Sequence, residues 1–166
     1  MKPKTRIPGI TRHRRGVSAR KITGSGVVSY YVYGAEKRMD TRFTAANLVK
    51  VLEAGLPVTE LADLQASLDV PAERLAPMLG ISKATFHRQK GAGSKLGPSV
   101  SDRVVRFARL LGKAAKVFGN MEDAKRWLNS PQFGLGGTVP LDFAKTEIGA
   151  REVENLLGRI EYGVYS

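Results

Sequence analysis

The sequence predicts an all-α protein with a basic N-terminal arm, a helix-turn-helix bundle and a small helical C-terminal domain. Three observations carry that prediction. From Thr44 onward, apolar residues recur at three- and four-residue spacing, the period of a helix with one buried face. Capping residues open those runs, and glycines or prolines close them. Only VVSYYVY, at 27–33, has the β-branched and aromatic composition of a strand, and a single strand cannot build a sheet. It either pairs with a symmetry mate or runs extended.

The elements follow in chain order. Residues 1–26 are basic, punctuated by Gly, Pro and Ser, and have no helical period. They read as a loose arm of the kind that orders on a partner, and with 27–33 they make a partly disordered segment over 1–43. Thr44 caps a helix with Leu48, Val51 and Leu52 on one face and Gly55 as its stop. Thr59 caps the next, whose stripe is Leu61, Leu64 and Leu68 and whose first turn holds Glu60 and Asp63. Pro71 opens a third helix where its missing N–H costs least. A longer helix occupies about 101–118, with Val104, Ala108, Leu111, Ala115 and Phe118 in one line and most of its basic residues elsewhere. Asn120 caps a helix ending at Trp127 and Leu128, and a Pro/Gly loop follows. A short helix over PLDFAKTEIG leads to a last one with the stripe Val153, Leu156, Leu157 and Ile160. These elements group into a helix-turn-helix domain over 44–118 and a C-terminal domain over 119–166.

Composition narrows the function. The 166 residues contain no cysteine, which excludes disulfides and thiolate metal sites and points to a reducing, cytoplasmic setting. No apolar run reaches the ~20 residues of a membrane span. Net charge is +12 and unevenly placed: +9 over 1–45, −3 over 46–82, +8 over 83–116 and −2 over 117–166. Two basic blocks of this kind fit a nucleic-acid partner, whose phosphates release counterions on neutralisation. The same charge also serves solubility.

VPAERLAPMLGISKATFHRQK, at 70–90, carries the first motif. Two short helices meet at Gly80, which can take the left-handed conformation of a tight turn. Ala76 is small where the helices approach, Ile81 plugs the core, Ser82 caps the second helix and Phe86 faces inward. Ser82, Lys83, Ala84, Thr85, His87, Arg88, Gln89 and Lys90 are the candidate DNA-binding residues. A helix N-terminus favours phosphate, Arg88 suits guanine and Gln89 suits adenine. The same residues fit an αα-corner with a solvated basic face. The order Ala, Gly four residues later, then Ile-Ser-x-x-Thr, resembles the Cro/Xre-type helix-turn-helix of prokaryotic repressors.

The second motif spans 124–166. GLGGT lacks the Lys-Ser/Thr of a Walker loop and the preceding strand of a dinucleotide fold, so it reads as a connection between helices. Trp127 reads as core. Ala124, Trp127, Leu128, Gly136, Gly137, Pro140, Leu141, Asp142, Thr146, Gly149, Val153, Leu156, Ile160, Tyr162 and Gly163 form a pattern similar to the toxin-binding domain of Xre/MbcA/ParS-type antitoxins. Together with the helix-turn-helix, the likeness covers about 55–166.

That resemblance implies a type II antitoxin. Its partners would be a RES-domain toxin that attacks NAD⁺, operator DNA of its own operon and a second copy of itself. The toxin's active site would be covered by the C-terminal region, here Arg159, Glu161, Tyr162, Gly163, Val164, Tyr165 and Ser166. A dimeric helix-turn-helix regulator without a toxin partner is the alternative, and an adaptor binding RNA or acidic proteins is a third reading. No enzyme is expected. With no Cys and with only His13, in the loose arm, and His87, in the helix-turn-helix, a catalytic triad is not expected. Asp142, Glu147, Glu152, Glu154 and Glu161 spread over helix faces. Neither cofactor nor metal is implied.

Overall fold

A computed structural model describes residues 26–34, 43–91 and 93–163. The expected loose arm over 1–25 and the end of the chain, Val164, Tyr165 and Ser166, lie outside the described residues. Nine helices form in the order α1 (Val27–Tyr33), α2 (Ala45–Ala54), α3 (Thr59–Leu68), α4 (Ala72–Met78), α5 (Lys83–Gly91), α6 (Pro98–Phe118), α7 (Met121–Leu128), α8 (Pro140–Phe143) and α9 (Glu147–Glu161) among the described residues. A 3-10 turn, Phe133–Leu135, lies between α7 and α8. The only β pairings among the described residues are isolated bridges, Pro57 with Lys95 and Gln132 with Thr138. The all-α expectation therefore holds.

Within it, the strand expected at 27–33 is wrong: VVSYYVY is α1. A lone strand would leave its backbone groups unpaired, whereas a helix satisfies them internally. Tertiary contacts supply the rest. Val27, Val28 and Val32 are buried against α3 and α6. Burial of this kind is worth about 1.5–3 kcal/mol per side chain, as an upper figure. The exposed N–H groups at the start of α1 are taken by Glu60 of α3, which accepts from Val27 N at 3.2 Å and Val28 N at 2.9 Å. Glu60 is fully buried. It lies in the first turn of its own helix, as expected, and caps another one. On the far side, α1 lies so close to α6 that a side chain at Gly112 would strike the Tyr31 carbonyl. Burial pushes the Tyr31 phenol above its usual pKa, opposed by the nearby Arg109 charge.

Most expected caps are in place. Thr44 accepts from Asn47 N and Asn120 from Asp123 N, while Thr146, which was not foreseen as a cap, accepts from Gly149 N. Several boundaries differ: Pro71, expected to open its helix, is the N-cap of α4, which begins at Ala72. Thr59 is the first residue of α3 and not its cap, which is Val58. Residues 147–149 belong to α9 and not to the short helix before it, because the Thr146 cap starts the new helix there. Helix α6 also begins earlier than expected, at Pro98. Ser101 is thereby freed from capping and turns inward. It accepts the Leu56 N–H at 2.9 Å and donates to the Leu96 carbonyl at 3.5 Å, which ties the α2–α3 connection to the α5–α6 loop.

Helix α6 is the axis of the molecule. Val104, Phe107, Ala108, Leu110, Leu111 and Ala114 are all inaccessible to solvent. One side packs on α1, α2 and α3, and another packs on α7 and α9. A single apolar core runs from Leu61, Leu64, Leu75 and Phe86 through α6 to Leu128, Leu141, Val153 and Leu157. Trp127 joins its margin, with its ring 5.8 Å from that of Phe118, as a core reading requires.

Candidate functional site

The helix-turn-helix geometry follows from three local facts. Gly80 has φ +70°, a left-handed conformation that other residues adopt at a cost. Ile81 N then reaches back to the Ala76 carbonyl at 3.0 Å, closing the turn over the buried Ala76. Ser82 accepts from Thr85 N at 3.1 Å and donates to Thr85 Oγ1 at 2.9 Å, starting α5. Phe86 is fully buried and pins that helix to the core. A fourth element was not foreseen. Arg103 of α6 donates to the Leu79 carbonyl at 2.7 Å, and its guanidinium fills the space beside Gly80 where a side chain would stand. The turn is thus held from below by an arginine remote in sequence.

The eight residues expected to meet DNA all lie on or at the start of α5, but they divide. Ser82, Lys83, Ala84, His87 and Arg88 are exposed. Lys83 pairs with Glu73 of α4 and so holds that carboxyl below the usual carboxylate range. Both partners are more than half exposed, so the pair is easily exchanged for a phosphate. Thr85 is half-buried and engaged with Ser82. Gln89 is half-buried, with its Oε1 buried and without a hydrogen-bond partner. Lys90 is exposed, donates to Gln65 at 2.9 Å and lies 5.8 Å from the Phe86 ring centroid. The outward face of α5 is therefore built from its first turns, with Arg88 as its long cation.

The basic block of α6 is used differently from the expectation. Arg106 binds Asp102 at 2.9 Å, Glu147 at 3.2 Å and the Lys145 carbonyl at 3.1 Å. Arg109 binds Glu154 at 2.7 Å, and Lys113 donates to the Glu154 carbonyl at 2.9 Å. Three cations that sequence alone assigns to a nucleic-acid face instead clamp α9 to α6. Arg74 of α4 makes a further link, with Asn129 at 2.5 Å and Asp142 at 3.6 Å. Apart from the Arg106–Asp102 pair within α6, these pairings join residues 39 or more positions apart, so no local sequence signal announces them.

At the end of α9, Arg159 is half-buried and Glu161 is exposed, 3.9 Å from Lys116. Tyr162 is 80% exposed, and Gly163 turns the chain with φ +67°. Two exposed apolar residues were not foreseen, Phe133 at 98% and Ile148 at 80%. Among the described residues no group of His, Asp and Glu could hold a metal, and no helix is long and apolar enough to cross a membrane.

Comparison with known proteins matches both halves. Residues 48–109 match the antitoxin Xre-like helix-turn-helix domain, and residues 113–163 match the antitoxin Xre/MbcA/ParS C-terminal toxin-binding domain. A protein named Antitoxin Xre from Photorhabdus laumondii is 33% identical over 121 residues, covering 72% of this chain and 82% of that protein. The chain belongs to the Xre antitoxin family. Further proteins named Antitoxin Xre are similar: one from Yersinia enterocolitica is 31% identical over 120 residues, covering 72% of this chain and 81% of its own. Another, from Pseudomonas putida, is 30% identical over 126 residues, covering 76% and 70%. The Xre antitoxins are regulatory, toxin-binding proteins and not enzymes. In this member α4 and α5 form the helix-turn-helix, and α9 is the longest helix lying wholly within the part that matches the toxin-binding domain.

Proposed function

We propose that this Xre antitoxin neutralises a RES-domain, NAD⁺-degrading toxin in the cytoplasm by covering the toxin's active site with residues 159–166, and that as a homodimer it binds operator DNA to repress its own operon. The observation that carries the toxin half is Tyr162, 80% exposed at the end of a helix held rigidly to α6 through Glu154. A tyrosine presented this way suits an interface, with an apolar ring and a polar tip. A site that accepts NAD⁺ must accommodate two phosphates and is therefore cationic. Glu161 then stands in for the substrate's negative charge, and Arg159 pairs with an acid at the rim. The DNA half rests on the exposed first turns of α5 and on Arg88.

Co-expression with the neighbouring reading frame tests the proposal. That frame should arrest growth alone and lose its toxicity beside the full-length chain. A chain ending at Glu161 should fail to neutralise it while still binding a duplex from the gene's own promoter. A harmless neighbour, or one still toxic beside the full-length chain, refutes the antitoxin reading. Equal loss of both activities in the shortened chain points to misfolding and refutes the assignment of 162–166.

A further inference from the structure

We propose that the toxin-docking surface is not confined to the chain end but runs back along the outward face of α9 to Ile148, with Phe133 as a preformed aromatic anchor beside it. This rests on the antitoxin reading above. Five large apolar residues are exposed among the described residues: Tyr33 and Val49 at 56% and 54%, then Phe133, Ile148 and Tyr162 at 98%, 80% and 80%. The three most exposed all fall inside the 113–163 toxin-binding match.

Helix geometry places two of them on one line. Ile148 and Tyr162 are fourteen positions apart in α9 and its cap, four turns less about 40°, so they share a face about 21 Å long. Arg151 and Asn155 are exposed and Arg159 half-exposed between them on that face. The face thus has apolar ends and a polar middle, and none of these three residues takes part in the clamp to α6, which uses Glu147 and Glu154.

Phe133 flanks the face. A side chain at Gly134 would stand 2.8 Å from Leu156 Cδ1, so the 3-10 turn rests on α9 midway along its length, about 100° round the helix from the middle of that face. The turn is stiff. Leu135 N donates to Gln132 O at 3.0 Å, Gly136 N to Phe133 O at 2.9 Å, and Gln132 Nε2 to Trp127 O at 3.0 Å. A backbone framed in this way loses little conformational freedom on binding, so only the rotamers of the ring itself have to be ordered. A standard interface of about 800 Å² per partner is a disc about 32 Å across, wider than the roughly 21 Å from Ile148 to Tyr162, so it can reach on to the flanking turn. Aromatic anchors in such a patch carry most of the affinity.

The test uses the full-length chain and the purified protein encoded by the neighbouring reading frame. The double variant F133D/I148D should bind that protein roughly 100-fold more weakly. Its circular dichroism, thermal midpoint and promoter-duplex affinity should be unchanged, because both side chains are exposed. A change in toxin affinity below about threefold overturns the inference. So does a loss of self-association in the isolated variant with toxin affinity intact, which assigns the face to a second copy of the chain. If the unsubstituted chain fails to bind the neighbour, the antitoxin reading falls first and this inference with it. If the chain ending at Glu161 loses binding while F133D/I148D does not, the chain end alone is the docking element.

Discussion

Replacing Glu60 by alanine should loosen α1 from the body of the protein. Glu60 is fully buried and accepts from two backbone N–H groups, those of Val27 and Val28. Each buried N–H stripped of its acceptor costs about 1–3 kcal/mol, so the gross loss is roughly 2–6 kcal/mol. Two terms act on that figure. The carboxylate also favours the positive end of α1, worth a few tenths to about 2 kcal/mol. Against this, the variant no longer has to bury a charge, which returns part of the loss. The net expectation is about 2–4 kcal/mol. At roughly 2–4 °C per kcal/mol for a chain of this size, the thermal midpoint should fall by about 4–16 °C. Urea unfolding followed by circular dichroism gives the energy, and amide exchange at Val27 and Val28 gives its location. Glu60→Gln keeps one carbonyl acceptor and should lose about half as much. A loss below about 0.5 kcal/mol, the scale of an ordinary surface substitution, refutes the reasoning. So does unchanged protection of the Val27 and Val28 amides.

Two further substitutions separate the surfaces. Gly80→Ala forces a side chain into a left-handed backbone at φ +70° and into the space of the Arg103 guanidinium. It should cost about 1–2 kcal/mol in unfolding measurements and weaken duplex binding more than toxin binding. Arg88→Ala should lower operator affinity by about 1–3 kcal/mol in fluorescence anisotropy if Arg88 reads a base, with toxin binding unchanged. An equal effect on operator and random duplex assigns Arg88 to a phosphate instead.

Some of the architecture was open to direct reading, and the reasons are local. Thr44 and Asn120 cap the backbone three residues ahead of them, so their roles are written in adjacent positions. The turn at Gly80 and the burial of Phe86 are similarly local, since one follows from a backbone conformation and the other from helical phase. The misreadings share a cause. VVSYYVY has strand propensity, but propensity is worth only tenths of a kcal/mol per residue and was outweighed by burial on α6 and by the Glu60 cap. The charges of Arg106, Arg109 and Lys113 suggested a nucleic-acid face because a one-dimensional count cannot show that Glu147 and Glu154 stand opposite them.

By itself, then, the sequence determined the helical class and the helix-turn-helix, because helical period, caps and turn glycines act within a few residues; the family was legible only through its resemblance to known motifs. Tertiary structure alone decided which charges remain available. Arg103 was assigned to the turn and Arg106 and Arg109 to α9, leaving Arg88 exposed on α5. It also decided that Phe133, which composition would place in a core, stands almost wholly in solvent. Burial and ion pairing depend on what the rest of the chain brings alongside, and that is a property of the fold.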